Sequence, residues 1–287
     1  MDPDYTKPHI QTPDSVHTTD LYLAFSDAFG DYKPSVGLTL PEFRQKFFVH
    51  YQTDRRLSRL ALVNAEIAAF ILSTPGNYRN RRSAYLSAVG VRQKYRGMGL
   101  LGALFDDLIT QLKQEQFEQC LLEVLSSNER AIRIFESKGF RETRRFLAYS
   151  GPARNLNPPE NYSFIVKNNL YFPFREMEIT DNVNFQETPS FMRKERKRLL
   201  TIVSGDDQQE KGYLILNPVS GRIRHIFVHP EYRRAGIGRS MIQYAITLVP
   251  KLKIINVDRE NHSLRCFLEA LGFHTQLEQI EMIMELK

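Results

Sequence analysis

Val228-His229-Pro230-Glu231-Tyr232-Arg233-Arg234-Ala235-Gly236-Ile237-Gly238 decides the reading of this chain, because a second spelling of it occurs upstream as Tyr95-Arg96-Gly97-Met98-Gly99-Leu100-Leu101. Behind each copy come an apolar helical stretch, an apolar strand-like run, an Asn and, eleven residues on, a Gly-Phe pair: Asn128 with Gly139-Phe140, and Asn261 with Gly272-Phe273. The copies stand 137 residues apart at Arg96 and Arg233, and 133 apart at Asn128 and Asn261. The second is therefore four residues tighter between helix and strand. A period of this length means duplicated domains, since solenoid repeats recur every ~20–50 residues.

A turn whose successive N–H groups point inward at the start of a helix binds phosphate through oriented backbone dipoles. Glycine is needed where that backbone takes positive φ or approaches the anion closely. In the second copy Arg233, Arg234 and Arg239 stand ready to add charge-assisted contacts. Neither copy ends in the Gly-Lys-Ser/Thr of a P-loop, and neither has the Gly-x-Gly-x-x-Gly spelling of a dinucleotide fold. Strands come in runs before each turn, which is an α+β order rather than a doubly wound parallel one.

The rest of the composition bounds the answer. The 287 residues are 42% apolar and 25% charged, an ordinary globular balance, and two halves of this size each bury a core. No apolar run reaches the ~18–20 residues that span a bilayer, and the polar, Pro-containing start is not that of a signal peptide. Cys120 and Cys266 fall on apolar segments and read as small buried hydrophobes of a reducing compartment, so a cytoplasmic protein is expected. The net charge of +6 suits phosphates and also nucleic acid. However, the basic clusters Arg79, Arg81, Arg82 and Arg193, Lys194, Arg196, Lys197, Arg198 lack aromatic interleaving and read as solvated faces.

Domain boundaries follow the repeat: residues 1–152, a Pro/Asn-rich linker at 153–159, and residues 160–287. In the first half, helices are expected over 14–29 and 40–49, the latter opened by a Thr39/Glu42 capping box. Strands follow at 60–63, 67–72 and 85–91, then helix 100–112, strand 121–125, helix 129–138 and strand 142–149. The second half repeats this with strands 199–204, 213–216 and 222–228, helix 238–248, strand 253–257, helix 262–271 and strand 276–286. Where the first half has two early helices, only 181–197 stands.

These residues resemble the GNAT N-acetyltransferase superfamily. Val228 to Gly238 looks like its acetyl-CoA-binding motif, and Asn261 through Phe273 looks like the segment that follows. Val91 to Gly102 and Leu122-Glu123-Val124 to Phe140 match in the first half. The resemblance covers nearly the whole chain and implies two tandem domains, each a mixed, mostly antiparallel sheet flanked by helices. It implies that the amides after Arg96 (Gly97, Met98, Gly99, Leu100, Gly102) and after Arg233 (Arg234, Ala235, Gly236, Ile237, Gly238, Arg239) hold the pyrophosphate of CoA. Backbone at Val89 to Val91 and Ile226 to Val228 would face pantetheine and thioester, and Asn128 and Asn261 would contact the pantetheine arm, a role compatible with helix capping. Two departures stand out. Leu101 occupies a position where the family has Gly or Ala, so its bulk is expected to narrow the first cradle, as Gly238→Trp would block the second. The family's thiolate-protonating tyrosine is replaced by Phe135 and Leu268.

Acyl transfer to an amine needs a base, an oxyanion donor and a leaving thiolate. The base candidates are His225, as a proton relay or a histidine satisfied in the sheet, and Glu281, facing cleft or solvent. Tyr85 and Tyr149 are candidates in the first half, on the cleft side or packed. The reading is an acetyl-CoA-dependent N-acyltransferase acting on a primary amine of a small molecule or peptide, with CoA in the second domain. A degenerate CoA-binding sensor or scaffold is the alternative, and aminoacyl transfer from tRNA a third.

Overall fold

The computed structural model describes residues 8–32, 36–151, 163–172, 183–205, 209–249 and 251–286; the expected linker, 153–159, lies outside them. His9–Gln11 (β1) pairs antiparallel with the far end of Asp54–Val63 (β2). Between them lie α1 (Thr18–Ala28) and α2 (Leu40–Arg44), which continues as a π-helical turn over Gln45–His50. The capping box is present: Thr39 N donates to Glu42 Oε2 (2.7 Å) and Glu42 N donates to Thr39 Oγ1 (3.4 Å). Residues 14–17, expected as helix, instead form a 3-10 turn at Pro13–Ser15 and an extended approach to α1.

Two tight hairpins build the first meander. Asn64 and Ala65 join β2 to β3 (Glu66–Tyr78), and Arg79 and Asn80 join β3 to β4 (Arg81–Val91). All four have positive φ, between 50° and 63°, the sense of a type I′ turn that matches strand twist. β3 runs through Pro75 and Gly76, which is why its reach exceeds the apolar run at 67–72. Then come α3 (Leu100–Gln114), β5 (Gln119–Leu125), α4 (Glu129–Ser137) and β6 (Arg141–Ser150).

The second half opens with a strand the sequence reading missed, β7 (Phe164–Lys167), paired with β8 (Leu200–Gly205). The expected helix over 181–197 is broken into a 3-10 turn at Phe185–Glu187, the five-residue α5 (Pro189–Arg193) and a second 3-10 turn at Arg196–Arg198. Residues 181 and 182 lie outside the described ones. β9 (Glu210–Asn217), β10 (Arg222–Val228), α6 (Ile237–Leu248), β11 (Lys253–Asp258), α7 (His262–Ala270) and β12 (His274–Glu285) complete the repeat.

The chain packs into two units that no single cut separates. One holds Met1–Leu122, Arg130–Arg141 and Met282–Lys287; the other holds Glu123–Glu129 and Glu142–Glu281. In the first unit the strand order is β1-β2-β3-β4-β5 followed by the end of β12, where Leu286 N donates to Glu118 O (2.9 Å). In the second it is the start of β12, then β6-β11-β10-β9-β8-β7, with β6 antiparallel to β11. The first half's last strand, from Glu142 on, therefore belongs to the second unit, whereas only the end of the second half's last strand, from Met282 on, belongs to the first. The second unit has two apolar layers. Ile202, Leu214, Leu216, Ile223, Met241 and Ile242 form the one under α6, and Met192, Leu199, Val203, Tyr213 and Ile215 form the one under α5.

Candidate functional site

The two glycine turns have one backbone. Each begins with a 3-10 turn (Gln93–Tyr95, Pro230–Tyr232) and passes through an extended arginine, Arg96 at φ −66°, ψ 147° and Arg233 at φ −67°, ψ 155°. Each then takes two positive-φ residues: Gly97 (84°) and Gly99 (71°), Arg234 (68°) and Gly236 (83°). Gly99 and Gly236 are left-handed N-caps of α3 and α6, and neither helix start is capped by a side chain. The amides of Leu100 and of Ile237, Gly238 and Arg239 are first-turn donors with no intrahelical acceptor, at the positive end of a helix dipole. Gly102 N instead closes a turn to Gly99 O (2.9 Å). A Cβ on Gly97 or Gly99 would meet nothing, so those glycines serve φ alone.

The charges beside the turns differ. In the first, Asp27 Oδ2 takes Arg92 Nε (2.7 Å), Glu66 takes Lys94 (2.5 Å), and Asp31 takes Arg96 Nη1 (2.5 Å) and Nη2 (2.8 Å). The Arg96 hydrogen bond draws the Asp31 carboxyl down to about 2. Asp27 also receives Gln93 N (3.0 Å), so α1 and the residues after it brace the whole turn. In the second, Arg233 Nε donates to Val228 O (3.1 Å), and no ion pair involves Arg233, Arg234 or Arg239 among the described residues; all three are exposed.

At the Leu101 position the second turn shows where added bulk would go. The counterpart Gly238 would send a Cβ to 3.1 Å from Phe267 Cζ and 3.7 Å from Val228 Cγ2, inward against α7 and β10 rather than over the amides. At the position matching Phe267 the first half has the smaller Ile134. Glycine faces phenylalanine in the second copy, and leucine and isoleucine stand at the same two positions in the first.

A β-bulge, unforeseen in the sequence, recurs in register. Ser87 is the extra residue between the pairs Ser73–Leu86 and Leu72–Ala88, and Arg224, 137 residues on, between Leu216–Ile223 and Ile215–His225. It sets both Arg224 and His225 on the α5 face, while Ile226 and Val228 pack toward α6 and Phe227 toward α5. At the bulge parallel pairing ends: β4 pairs with β5 only over 83–85, and β10 with β11 only at Arg222–Lys253 and Ile223–Ile254. Beyond these residues, including Val89, Val91, Ile226 and Val228, each strand keeps a ladder edge that its parallel neighbour does not pair. In the second unit this makes an open seam between β10 and β11, beside the start of α6.

The remaining candidates lie apart from one another. His225 is half-buried, stacks on Tyr213 (5.5 Å, 21°), and has an Nδ1 with no partner. Burial pushes its pKa down to about 4 against the opposing field of Glu187. Next to it Arg224 is held by Glu187, by Glu195 and by Gln186 O (2.5 Å), a buried ionic network beneath the bulge. Glu281 is fully buried, taking Thr143 Oγ1 (2.8 Å) and Arg144 Nη2 (3.1 Å), so it sits in an ion pair rather than facing solvent. Tyr149, read with the first half, lies in the second unit, where its hydroxyl donates to Glu269 Oε1 (3.1 Å). Tyr85 is buried against Tyr51 (6.0 Å) in the first. Asn261 caps α7 through Leu264 N (3.1 Å), while Asn128 N closes a turn to Leu125 O (2.9 Å). Phe135 and Leu268 are core residues.

Sequence reasoning gave no role to Glu123 or Asn256. They are the polar residues within two apolar strand runs, 133 positions apart like the flanking Asn pair. That repeated interruption was the available signal. Cys120 is buried as expected, whereas Cys266 is exposed on α7; both are free. The basic cluster at 79–82 is partly neutralised, Arg81 by Glu285 and Arg82 by Glu115 (3.9 Å).

Comparison with known proteins gives two matches to family models: "Acetyltransferase (GNAT) family" over residues 20–140 and "Acetyltransferase (GNAT) domain" over residues 197–275. N-alpha-acetyltransferase 30 of Dictyostelium discoideum is 24% identical over 135 residues, which is 45% of this chain and 72% of that protein. A GCN5-related N-acetyltransferase from Sphaerobacter thermophilus superposes with TM-score 0.71 at 16% identity, over 99% of this chain and 97% of its own. A tandem GNAT protein from the clavulanic acid biosynthesis pathway does so with TM-score 0.70 at 11% identity, over 98% and 99%. At these identities the structural likeness shows the fold.

Proposed function

The chain belongs to the GNAT acetyltransferase family as a tandem pair of domains, and from that premise we propose that it moves an acetyl or other short acyl group from CoA to a primary amine of a small molecule or peptide. The coenzyme site is assigned to the second unit. The observation that carries this assignment is the start of α6, which no side chain caps, with Arg233, Arg234 and Arg239 exposed beside it and in no ion pair among the described residues. A polyphosphate there gains both backbone and guanidinium donors without breaking an existing ion pair. At the first turn, Arg92, Lys94 and Arg96 must first leave Asp27, Glu66 and Asp31.

Bound in the second unit, the coenzyme supplies an activated acyl thioester. The amides of Ile237, Gly238 and Arg239 hold its pyrophosphate, and the unpaired edge at Ile226 to Val228 orients the arm, with Asn261 near the seam's mouth. His225, unprotonated at neutral pH, serves as a relay for the amine proton rather than as a store for it, because burial disfavours its charged form. Glu281 keeps Arg144 in place and takes no proton. Leu268 cannot donate one, so departure relies on a thiolate, whose parent thiol has a pKa of about 8.5. The bulge and the open strand edge recur around Tyr85, Val89 and Val91, but this unit has no counterpart of His225, since Ala88 stands there.

No helix among the described residues is long and apolar enough to cross a membrane. Two free cysteines, one of them exposed, support a reducing, cytoplasmic setting.

Calorimetric titration with acetyl-CoA tests the reading: one site per chain, with thiol release once a suitable amine is added. Tight binding without turnover across a broad amine panel would favour the sensor reading, which the apolar Phe135 and Leu268 support. Absence of binding at millimolar acetyl-CoA would end both.

A further inference from the structure

Asn256 combines two unfavourable features at one place. It sits on β11 with φ 63°, in the left-handed region, where the register against β6 shifts between Ile254 and Val257. It is nine-tenths buried, and neither Nδ2 nor Oδ1 has a hydrogen-bond partner. Leaving one buried polar group unsatisfied costs roughly 1–3 kcal/mol, and side chains in this state are rare in folded proteins. Costs of this kind persist at sites that become satisfied on binding.

Its place in the fold says what could satisfy it. The last β10–β11 pair is Ile223–Ile254, so Asn256 lies two residues past the point where the strands part, on the strand bordering the open seam. Across the seam the bulge at Arg224 re-aims the opposing strand edge. The matching residue of the first half, Glu123, has found a partner, with Gln186 Nε2 donating to its Oε2 (3.5 Å). At Asn256 the polar residue kept at the same strand position has none.

We infer that the Asn256 amide is a hydrogen-bond donor to the acyl carbonyl oxygen of the thioester in the second unit. This rests on the CoA reading above. A side-chain amide held without internal partners is preorganised for an oxygen that gains negative charge as the amine attacks, and it supplies that stabilisation in addition to a strand N–H. The donor is neutral and gives up no proton, so the group-transfer chemistry is unchanged: the N–C bond forms, the C–S bond breaks, and the amine proton leaves through the relay.

The test needs no knowledge of the acceptor. Acetyl-CoA labelled with carbon-13 at the acyl carbonyl is bound to the full-length protein, and its C=O stretch is read by isotope-edited infrared spectroscopy. The affinities of acetyl-CoA and CoA are measured alongside. Asn256→Gly removes the amide while tolerating the positive φ, and Asn256→Asp keeps the shape while replacing the donor; thermal melts check that each is folded. The wild type should show a carbonyl stretch lowered from its value in water, and both variants should return it toward that of an unbonded carbonyl. The preference for acetyl-CoA over CoA should fall about three- to tenfold, the size of one neutral hydrogen bond. An unchanged stretch and preference in a folded variant would overturn the inference and leave the CoA reading standing, with the amide then serving an internal water. A wild type that binds neither ligand would overturn both.

Discussion

In the first turn Arg92, Lys94 and Arg96 face Asp27, Glu66 and Asp31; in the second, Arg233, Arg234 and Arg239 face solvent. The backbones are otherwise alike, down to the left-handed glycine that opens each helix. The difference comes from elsewhere in each unit. Asp27 belongs to the last turn of α1 and Asp31 follows it, while among the described residues of the second half no acid pairs with Arg233, Arg234 or Arg239. A repeated loop can thus keep its shape while its charge balance is set by residues outside it.

The largest effect expected from this comparison is on coenzyme affinity. Replacing Arg233, Arg234 and Arg239 together with alanine should weaken acetyl-CoA roughly a hundredfold, at about 1 kcal/mol for each exposed charge-assisted contact. Arg96→Ala should leave it within twofold by calorimetry. If Arg96→Ala has the larger effect, the assignment of the two turns is reversed.

The packing exchange gives the next effect. Gly238→Leu should lower stability by about 2 kcal/mol, because the added side chain meets Phe267. Phe267→Ile in the same chain, restoring the first half's Leu101/Ile134 combination, should recover about half of that in a thermal or urea double-mutant cycle. Simple additivity of the two losses would show that the copies do not share this packing rule.

His225 offers a pH test that the first half, with Ala88 in its place, cannot show. Its folded pKa of about 4 lies below the ordinary histidine value, so between about pH 6.5 and pH 4 the unfolded chain binds more protons. Stability should fall on acidification through that window, and His225→Gln should flatten the drop in Tm between pH 7 and pH 5. An equal drop in both proteins would remove the neutral imidazole from the account.

Smallest of all, Asp31→Asn should free Arg96 with little loss of Tm, since the pair is exposed. Combined with Asp27→Asn and Glu66→Gln, it should bring a weak second acetyl-CoA site into view. A stoichiometry that stays at one would mean that more than charge closes the first turn.

The turns, the duplication and the order of elements were legible because each depends on local pattern: glycine at positive φ, apolar spacing along helices and strands, a Thr39–Glu42 cap. The breaks at 181–197 and the strand Phe164–Lys167 were not, since four apolar-rich residues next to a polar linker carry little periodic signal. Tyr149 was correctly read as strand, yet its unit is set by which β-edge it pairs with, and it pairs opposite Ile254. The ion pair of Glu281 was not legible, because its partner Arg144 is 137 residues away.

The sequence by itself determined that this protein is a duplicated α+β chain with two helix-opening glycine turns, because φ preferences and hydrophobic periods act over a few residues. Only the tertiary structure decided which arginines are neutralised, where a side chain at Gly238 would go, that the first half's last strand belongs to the second unit, and that Asn256 is buried without a partner. Those outcomes depend on contacts between residues far apart in the chain, and pairing at a distance leaves no local pattern to read.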